Sequence, residues 1–170
     1  MTSTAAMPPD PRERPALSLL DTLNIPYTIY RHPPLRTVTE AMALRGDIDA
    51  AHVKNLFLRD KREQMWIVTV LEDREVDIRA LRSELKATGT VSFGSPERLQ
   101  RVLGIQPGSV SPLAVVQDTT GGVGVVLDRR LLDHAYVGVH PLHNEATVRL
   151  AVTDLVRMLE ALGRRPAWIY

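Results

Sequence analysis

The architecture that we expect is set by two neighbouring segments, Val53-Lys54-Asn55-Leu56-Phe57-Leu58 and Met65-Trp66-Ile67-Val68-Thr69-Val70-Leu71. Both segments are rich in apolar and β-branched residues, and the charged turn Arg59-Asp60-Lys61-Arg62-Glu63 separates them. Two such segments joined by a short polar turn predict a β-hairpin. The other elements are therefore placed around a sheet that is built on this hairpin.

Segments with helical spacing of apolar residues lie on both sides of the hairpin. They predict helices over Ala16 to Leu23, Thr39 to Leu44, Asp77 to Leu85, Ser95 to Leu103 and Thr153 to Leu162. Further strands are predicted at Tyr27 to Tyr30, Leu113 to Val116, Val123 to Leu127, Ala135 to Val139 and Ala146 to Leu150, the second and third of them joined as a hairpin. Because strands and helices interleave irregularly, we predict an α/β (α+β) domain with a mixed sheet.

The composition favours one soluble domain. The chain has 170 residues, with 21 Lys+Arg against 20 Asp+Glu and a formal net charge of +1. This balance argues against a protein that coats nucleic acid, although a local basic patch stays open. No segment approaches the ~18 consecutive apolar residues that span a bilayer.

The residue types narrow the chemistry further. There is no cysteine, which excludes disulfides, thiolate nucleophiles and Cys-ligated metals. The five histidines show no metal-site spacing, and His32, which precedes Pro33, is most simply a loop histidine bonded to a neighbouring carbonyl. We therefore expect no metal and no cofactor.

The N-terminal stretch from Met1 to Pro15 holds four prolines and lacks the continuous apolar stretch of a secretion signal. We predict that residues 1–15 form a disordered tail and that residues 16–170 form the domain. A cytoplasmic monomer with no membrane partner is the expectation.

Lys54 and His140 stand where side chains often meet ligands. By strand alternation Lys54 shares a face with Leu56 and Leu58, so its ammonium group would lie at the rim of an apolar surface. A lysine stem that covers the core is the commoner arrangement, whereas a cation suited to a phosphate or an oxyanion is the functional alternative. His140 ends a strand, where ligand sites concentrate, and a bond to a neighbouring carbonyl explains it equally well.

The loop Gly108-Ser109-Val110-Ser111-Pro112 is the second candidate. Gly108 permits close approach by a ligand, and the N–H groups of Ser109, Val110 and Ser111 could point at one anion or carbonyl oxygen. Loops of this composition are more often plain turns.

Three motifs in order resemble the YbaK/ProX family of aminoacyl-tRNA deacylases. They are His52-Val53-Lys54-Asn55-Leu56-Phe57-Leu58-Arg59-Asp60, the Gly108 to Pro112 loop, and Val139-His140-Pro141-Leu142-His143-Asn144-Glu145-Ala146-Thr147. The first and third look like the branch that acts on alanyl-tRNA(Pro), called ProXp-ala or PrdX. The resemblance covers about Leu19 to Leu162, and it implies a free-standing homologue of the bacterial prolyl-tRNA synthetase editing domain. The implied fold is a mixed, partly closed β-sheet flanked by helices.

The resemblance also assigns the candidate site residue by residue. The family lysine falls on Lys54, the adjacent asparagine on Asn55, the Gly-x-x-x-Pro loop on Gly108 to Pro112, and the histidine on His140. We hypothesise that the amides of Ser109, Val110 and Ser111 face the ester carbonyl and that Lys54 binds the terminal phosphate or supports the oxyanion. Asn55 would orient polar groups of the substrate, and His140 would position substrate or water. Pro112 and Asn144 complete the implied substrate-binding set.

Size selectivity follows from general principles of editing. A synthetase pocket built for proline cannot strongly reject a smaller amino acid, because each lost methylene changes binding by only about 1–3 kcal/mol, so a second, smaller pocket is needed. Phe57 and Leu58, on opposite strand faces, are both candidate walls of that pocket.

Alternatives remain open at this point. Cysteinyl-tRNA(Pro) is the competing substrate, and a catalytically inert tRNA-binding or synthetase-associated module is the competing class. A small-molecule-binding domain with no RNA partner is a third. The expected partner is the acceptor end of tRNA(Pro) carrying a small amino acid, with transient binding of prolyl-tRNA synthetase or an elongation factor left open.

Overall fold

The computed structural model describes residues 10–34, 39–40, 43 and 48–170. Three of the six residues of the predicted helix from Thr39 to Leu44 are described, at positions 39, 40 and 43, and they are helical; the other three lie outside the described residues. No helix in the described part is long and apolar enough to cross a membrane.

A mixed sheet forms the centre of the described part of the chain. Its eight strands are β1 (Tyr27–Arg31), β2 (Ala51–Arg59), β3 (Met65–Leu71), β4 (Ser92–Phe93), β5 (Gly124–Asp128), β6 (Tyr136–Val139), β7 (Ala146–Ala151) and β8 (Ala167–Ile169). The order is β1-β7-β6-β2-β3-β5-β8, and β4 pairs with β2. The predicted hairpin is confirmed as the antiparallel β2–β3 pair, with Val53 opposite Leu71 and Arg59 opposite Met65.

Strand β2 changes partners along one of its edges. Its first residues, Ala51 and His52, pair in parallel with Val137 and Gly138 of β6, whereas its last two residues pair with β4. Between these contacts β6 and β4 leave a notch beside Val53–Phe57, while β3 pairs along the other edge of β2. Most of the notch residues are half-buried, as are the side chains of Lys54 and Asn55.

Four α-helices flank the sheet in the described residues. They are α1 (Arg14–Thr22), α2 (Ile78–Leu85), α3 (Pro96–Leu103) and α4 (Val152–Ala161). Two of them begin as sequence patterns predict, since the side chains of Asp77 and Ser95 accept N–H bonds from Arg79 and Arg98 at the helix N-termini. The prediction of a mixed sheet flanked by helices is confirmed.

The two faces of the sheet carry separate cores. The larger core joins α1, α3 and α4 to residues such as Phe57, Ile67 and Val139. The smaller core lies on the opposite face, where Leu58, Val70 and Trp66 pack with α2. Alternation along β2 therefore directs Asn55 and Phe57 towards the larger core and Lys54 towards the face of the smaller one.

The predicted strand from Leu113 to Val116 is wrong, because Pro112–Gln117 is a 3-10 helix. Pro112 occupies the first turn, and the Ser111 hydroxyl accepts the N–H of Leu113 as an N-cap. A short buried apolar run does not by itself distinguish strand from helix. Consequently Asp118-Thr119-Thr120-Gly121-Gly122 is not a hairpin turn. The short strands β4 and β8 were not predicted from the sequence.

The predicted N-terminal tail is also wrong for residues 10–15. A 3-10 helix spans Pro11–Glu13, with Asp10 as its cap, and α1 begins at Arg14. The Glu13 side chain is completely buried. Residues 1–9 lie outside the described residues.

Candidate active site

Four polar side chains form a row across the sheet at the notch. Continuing the parallel register beyond His52 and Gly138 by two residues brings Lys54 level with His140. Continuing the antiparallel β6–β7 register beyond Val139 and Val148 by one residue brings His140 opposite Thr147, and Thr147 pairs with Tyr30 of β1. By this continued register and by strand alternation, Lys54, His140, Thr147 and Tyr30 lie on the same face, opposite the larger core.

The His140 ring is held in one tautomer. Its Nδ1 lies 3.0 Å from the backbone oxygen of Ala146, and because a carbonyl only accepts, Nδ1 carries the proton. Burial lowers the pKa of His140, and the neighbouring rings of His32 and His143 act in the same direction. The neutral ring therefore offers Nε2 as a hydrogen-bond acceptor.

His32 lies next to this ring, with the two ring centroids 6.5 Å apart. Its Nδ1–H donates to the Pro33 carbonyl at 2.8 Å, and its Nε2 lies 2.9 Å from Oγ1 of Thr147. The interpretation of His32 as a loop histidine bonded to a carbonyl is correct for Nδ1 but incomplete, since the other ring nitrogen reaches the polar row.

The Asn55 side chain lies on the face of β2 opposite to Lys54, and a contact with β3 fixes its orientation. Its Oδ1 accepts a 2.6 Å hydrogen bond from the hydroxyl of Thr69, its cross-strand partner on β3. Thr69 is completely buried. With Oδ1 engaged, the amide group of Asn55 is fixed and its Nδ2 donors are directed away from Thr69.

The Gly108 loop lies against Asn144. A Cβ atom at Gly108 would lie 3.4 Å from Nδ2 of Asn144, so the loop and the β6–β7 connection are in close contact. Ser109 and Asn144 both line a polar cavity of about 330 Å³, together with Gln106, Gln117 and Arg12. Lys54 and His140 do not line this cavity.

The loop amides are not equally available to a ligand. The N–H of Ser109 donates to the Gln106 carbonyl at 2.9 Å, so it is already committed inside the loop. Of the three amides that we expected to face one oxygen, only those of Val110 and Ser111 therefore stay in the hypothesis. Ser111 and Pro112 are buried, and Ser111 uses its hydroxyl as the cap of the following 3-10 helix.

Phe57 and Leu58 are both buried on opposite faces of β2. Leu58 is completely buried in the smaller core. The Phe57 ring packs so closely over Gly94 that a Cβ there would lie 2.4 Å from the ring. Phe57 shares its face and core with Val110 of the Gly108 loop.

A buried ionic cluster supports the loop between β6 and β7. Nε2–H of His143 donates to Glu13 at 2.8 Å, and Nδ1 of His143 accepts the N–H of Glu145. Arg31 contacts the same carboxylate at 2.6 Å. Although burial opposes the charge of Glu13, hydrogen bonds from Arg31 and His143 lower its pKa. The cluster thus ties the N-terminal segment to the loop that carries His140 and Asn144.

Sequence patterns missed Glu13, His32, Thr69 and Thr147 as parts of the site. Each acts through a partner that is distant in the chain, as in the pair His32 and Thr147. A buried acid within a proline-rich stretch and a histidine before a proline carry no local signal for such pairing. Within the described residues, no group of three or more His, Asp or Glu side chains could hold a metal ion.

Comparisons with known proteins identify the relatives of this chain. A family model for the aminoacyl-tRNA editing domain matches residues 32–158. The prolyl-tRNA editing protein ProX of Acetoanaerobium sticklandii is 38% identical over 148 residues, covering 86% of this chain and 90% of that protein. The prolyl-tRNA synthetase associated domain-containing protein 1 of Danio rerio is 34% identical over 164 residues, covering 95% of this chain and 89% of that protein.

Solved structures share the fold. A protein proposed to be a trans-editing enzyme for prolyl-tRNA synthetase superposes with a TM-score of 0.71 at 22% identity, over 94% of this chain and 97% of that one. The hypothetical protein APE2540 gives a TM-score of 0.71 at 21% identity, over 90% of this chain and 97% of that one.

Proposed function

The chain belongs to the aminoacyl-tRNA editing domain family and is an aminoacyl-tRNA deacylase, and from this premise we propose that it removes alanine from mischarged tRNA(Pro) in trans. The observation that supports the proposal is the polar row, because the continued β2–β6 register puts Lys54 and the His140 ring, with its proton on Nδ1, on one face of the sheet. The similarity to the ProX editing protein supports prolyl-tRNA as the tRNA involved.

The row suits ester hydrolysis without a covalent intermediate. A water oxygen bonds to the ester carbonyl carbon, the carbon–oxygen bond to the ribose breaks, and a proton of the water ends on the ribose oxygen. The products are free alanine and tRNA. Because an aminoacyl ester is already activated, the site has to place the water and stabilise the oxyanion.

Each residue of the proposed site has a separate role. The Lys54 ammonium binds the terminal phosphate or the developing oxyanion, and the amides of Val110 and Ser111 supply neutral donors to the carbonyl oxygen. Nε2 of His140 accepts a hydrogen bond from the attacking water or from the free ribose hydroxyl. Asn55, fixed by Thr69, orients polar groups of the substrate, and Gly108 lets the terminal nucleotide approach Asn144.

The wall that excludes proline is assigned to Phe57. Leu58 is fully buried within the smaller core, whereas Phe57 shares the larger core with Val110 on the face of β2 opposite Lys54. In this proposal the substrate crosses the notch edge of β2, with its ester at the row and its amino-acid side chain towards Phe57. Phe57→Ala should enlarge this region and allow hydrolysis of prolyl-tRNA(Pro), which the parent protein should leave intact.

A deacylation time course tests the proposal. Purified protein is mixed with alanyl-, cysteinyl- and prolyl-tRNA(Pro), and the wild type is compared with Lys54→Ala. We expect loss of alanine alone, and a decrease of at least about 100-fold in the Lys54→Ala variant, because a positioned charge is lost from the transition state. Lys61→Ala, which removes an exposed lysine from the β2–β3 turn, is the matched control and should retain full activity.

The other outcomes discriminate between the alternatives. Preferential hydrolysis of cysteinyl-tRNA(Pro) would identify cysteine, rather than alanine, as the amino acid that the enzyme removes. Binding of tRNA without hydrolysis of any ester would contradict the proposal and point to an inert binding module. Unchanged turnover in Lys54→Ala would contradict the assignment of Lys54 to the catalytic site.

A further inference from the structure

Thr147 occupies a position in the polar row that the proposed reaction does not use. It pairs with Tyr30 on one side and lies opposite His140 on the other. Its side chain is half-buried, so it remains accessible to a ligand seated on the row.

The Thr147 side chain is fixed by contacts to two neighbours. A Cβ atom at Gly138 would lie only 3.1 Å from the Thr147 methyl group, so the methyl fills the space that Gly138 leaves open. The hydroxyl is then directed to Nε2 of His32 at 2.9 Å. A larger residue at position 138 would displace this rotamer.

The direction of the Thr147 hydroxyl proton follows from the hydrogen bonds of the two ring nitrogens of His32. Nδ1–H of His32 donates to the Pro33 carbonyl, and in the tautomer that carries its proton on Nδ1 the other ring nitrogen, Nε2, is an acceptor. Thr147 must therefore donate its proton to His32, and its oxygen presents only lone pairs to the rest of the row. A hydroxyl in this state is a hydrogen-bond acceptor at a defined place.

Electrostatics decides which part of the substrate meets this acceptor. An esterified amino acid carries an α-ammonium group, and the Lys54 ammonium repels that group at one end of the row. The neutral His140 ring separates Lys54 from Thr147. With the ester near Lys54 and His140, the favourable place for the α-ammonium is on the side of Thr147, where an oxygen acceptor is available.

We propose that Thr147 binds the α-ammonium group of the esterified amino acid, and that His32 is a positioning residue that holds the Thr147 hydroxyl as an acceptor. This inference rests on the proposed function and adds a specificity element to it. The site thereby distinguishes aminoacyl esters from neutral acyl esters of the same size.

A comparison of two isosteric substrates tests the proposal. Alanyl-tRNA(Pro) is converted by nitrous acid into lactyl-tRNA(Pro), in which a neutral hydroxyl replaces the ammonium. Each enzymatic rate is divided by the uncatalysed rate of the same ester, since the ammonium itself activates the ester. We expect the wild type to favour the alanyl ester by about tenfold or more in kcat/KM, because a hydrogen bond to a charged group is lost with the lactyl ester.

The variants separate this role from a purely structural one. Thr147→Val should reduce alanyl turnover to the lactyl level and leave lactyl turnover nearly unchanged, whereas Thr147→Ser should retain the preference. His32→Leu should lower the preference, and His32→Gln, whose amide oxygen can still accept the hydroxyl proton, should retain more of it. Thr28→Val on neighbouring β1 is the matched control and should behave as wild type.

Two results would overturn the proposal. One is an equal loss of both activities in Thr147→Val, and the other is a wild-type enzyme that does not distinguish the two esters. If the wild type hydrolyses neither ester, the result contradicts the proposed function and leaves the role of Thr147 to a binding measurement. Thr147 is then tested by binding of the stable 3′-amides of alanyl- and lactyl-adenosine, where equal affinities in wild type and Thr147→Val would overturn the inference.

Discussion

At the scale of single residues, the role proposed for His140 depends on its protonation state near neutral pH. The Ala146 carbonyl fixes the proton on Nδ1, and burial lowers the pKa so that the ring stays neutral. An exposed histidine with a pKa of about 6.5 would be about one quarter protonated at pH 7 and half protonated at pH 6.5. The environment of His140 thus extends the acidic limit of a step that needs the neutral ring.

A pH profile measures this effect. Single-turnover deacylation, divided by the uncatalysed rate, should stay constant as the pH falls to about 6.5 and should decrease only below it. The folded pKa is lowered, so the stability contributed by neutral His140 is present above pH ~6.5 and is lost as the pH falls further. His134→Asn, at an exposed histidine, should leave the profile unchanged. A rate that falls by half at pH 6.5 or higher would contradict the assignment.

Sequence patterns singled out Lys54 and His140 as candidates, and the family resemblance added Asn55, but neither showed what these residues touch. Alternation was sufficient to place Lys54 and Phe57 on opposite faces of β2, as the two cores confirm. The partners Thr69 and His32 were missed because hydrogen bonds between distant positions depend on strand register. Register is fixed by the whole sheet rather than by any local pattern.

At the scale of elements, the 3-10 helix Pro11–Glu13 is attached to the β6–β7 connection through one carboxylate. Glu13 accepts from both Arg31 and His143 while fully buried. Within the connection, Leu142 has a φ of 74°, a left-handed conformation that costs a non-glycine residue about 1 kcal/mol or more. The surrounding contacts must hold this conformation in place.

Substitution of Glu13 tests this attachment. Glu13→Ala should lower the free energy of unfolding by about 3 kcal/mol, because Arg31 and His143 lose their partner in a buried site. The pKa of Glu13 is lowered on folding, so its contribution is present above pH ~4.5 and is lost as the pH falls below that value. Glu13→Gln should flatten this acidic dependence.

Urea unfolding at several pH values provides the measurement. Asp154→Asn, which removes an ion pair with Arg157 on the surface of α4, is the control and should cost less than about 1 kcal/mol. If Glu13→Ala costs no more than this control, the ionic cluster does not secure the N-terminal segment.

The elements themselves were largely predictable where periodicity was strong. The helices that Asp77 and Ser95 cap and the β2–β3 hairpin follow from local patterns. The run from Leu113 to Val116 failed because every residue of that run except Val116 is buried, and a fully apolar segment has no periodicity to read. The order of strands around β2 was beyond prediction because it depends on pairings between distant segments.

At the scale of the whole molecule, the charge balance limits how the protein holds RNA. With a formal net charge of +1, the protein is expected to bind tRNA through a few local phosphate contacts. We therefore expect tRNA affinity to fall by only about tenfold between about 50 and 200 mM salt, which corresponds to roughly two or three contacts.

Titration of fluorescent tRNA(Pro) at several salt concentrations checks this expectation. Lys54→Ala should reduce the slope of log affinity against log salt by roughly one phosphate contact, whereas Lys61→Ala should leave it unchanged. A slope that corresponds to many contacts would show a broader basic surface than the polar row provides.

The notch beside β2 also affects how this protein resists self-association. Alternation turns the backbone N–H and C=O groups of Val53 and Asn55 towards the notch, because the Phe57 carbonyl bonds to Gly94 on that side and the His52 carbonyl bonds to Glu72 on the other. Unpaired strand edges template the addition of foreign strands. Among the described residues, the open edge is only a few residues long, ends against another strand on both sides, and carries a lysine at its centre. The notch is therefore too short and too charged to accept another β-strand.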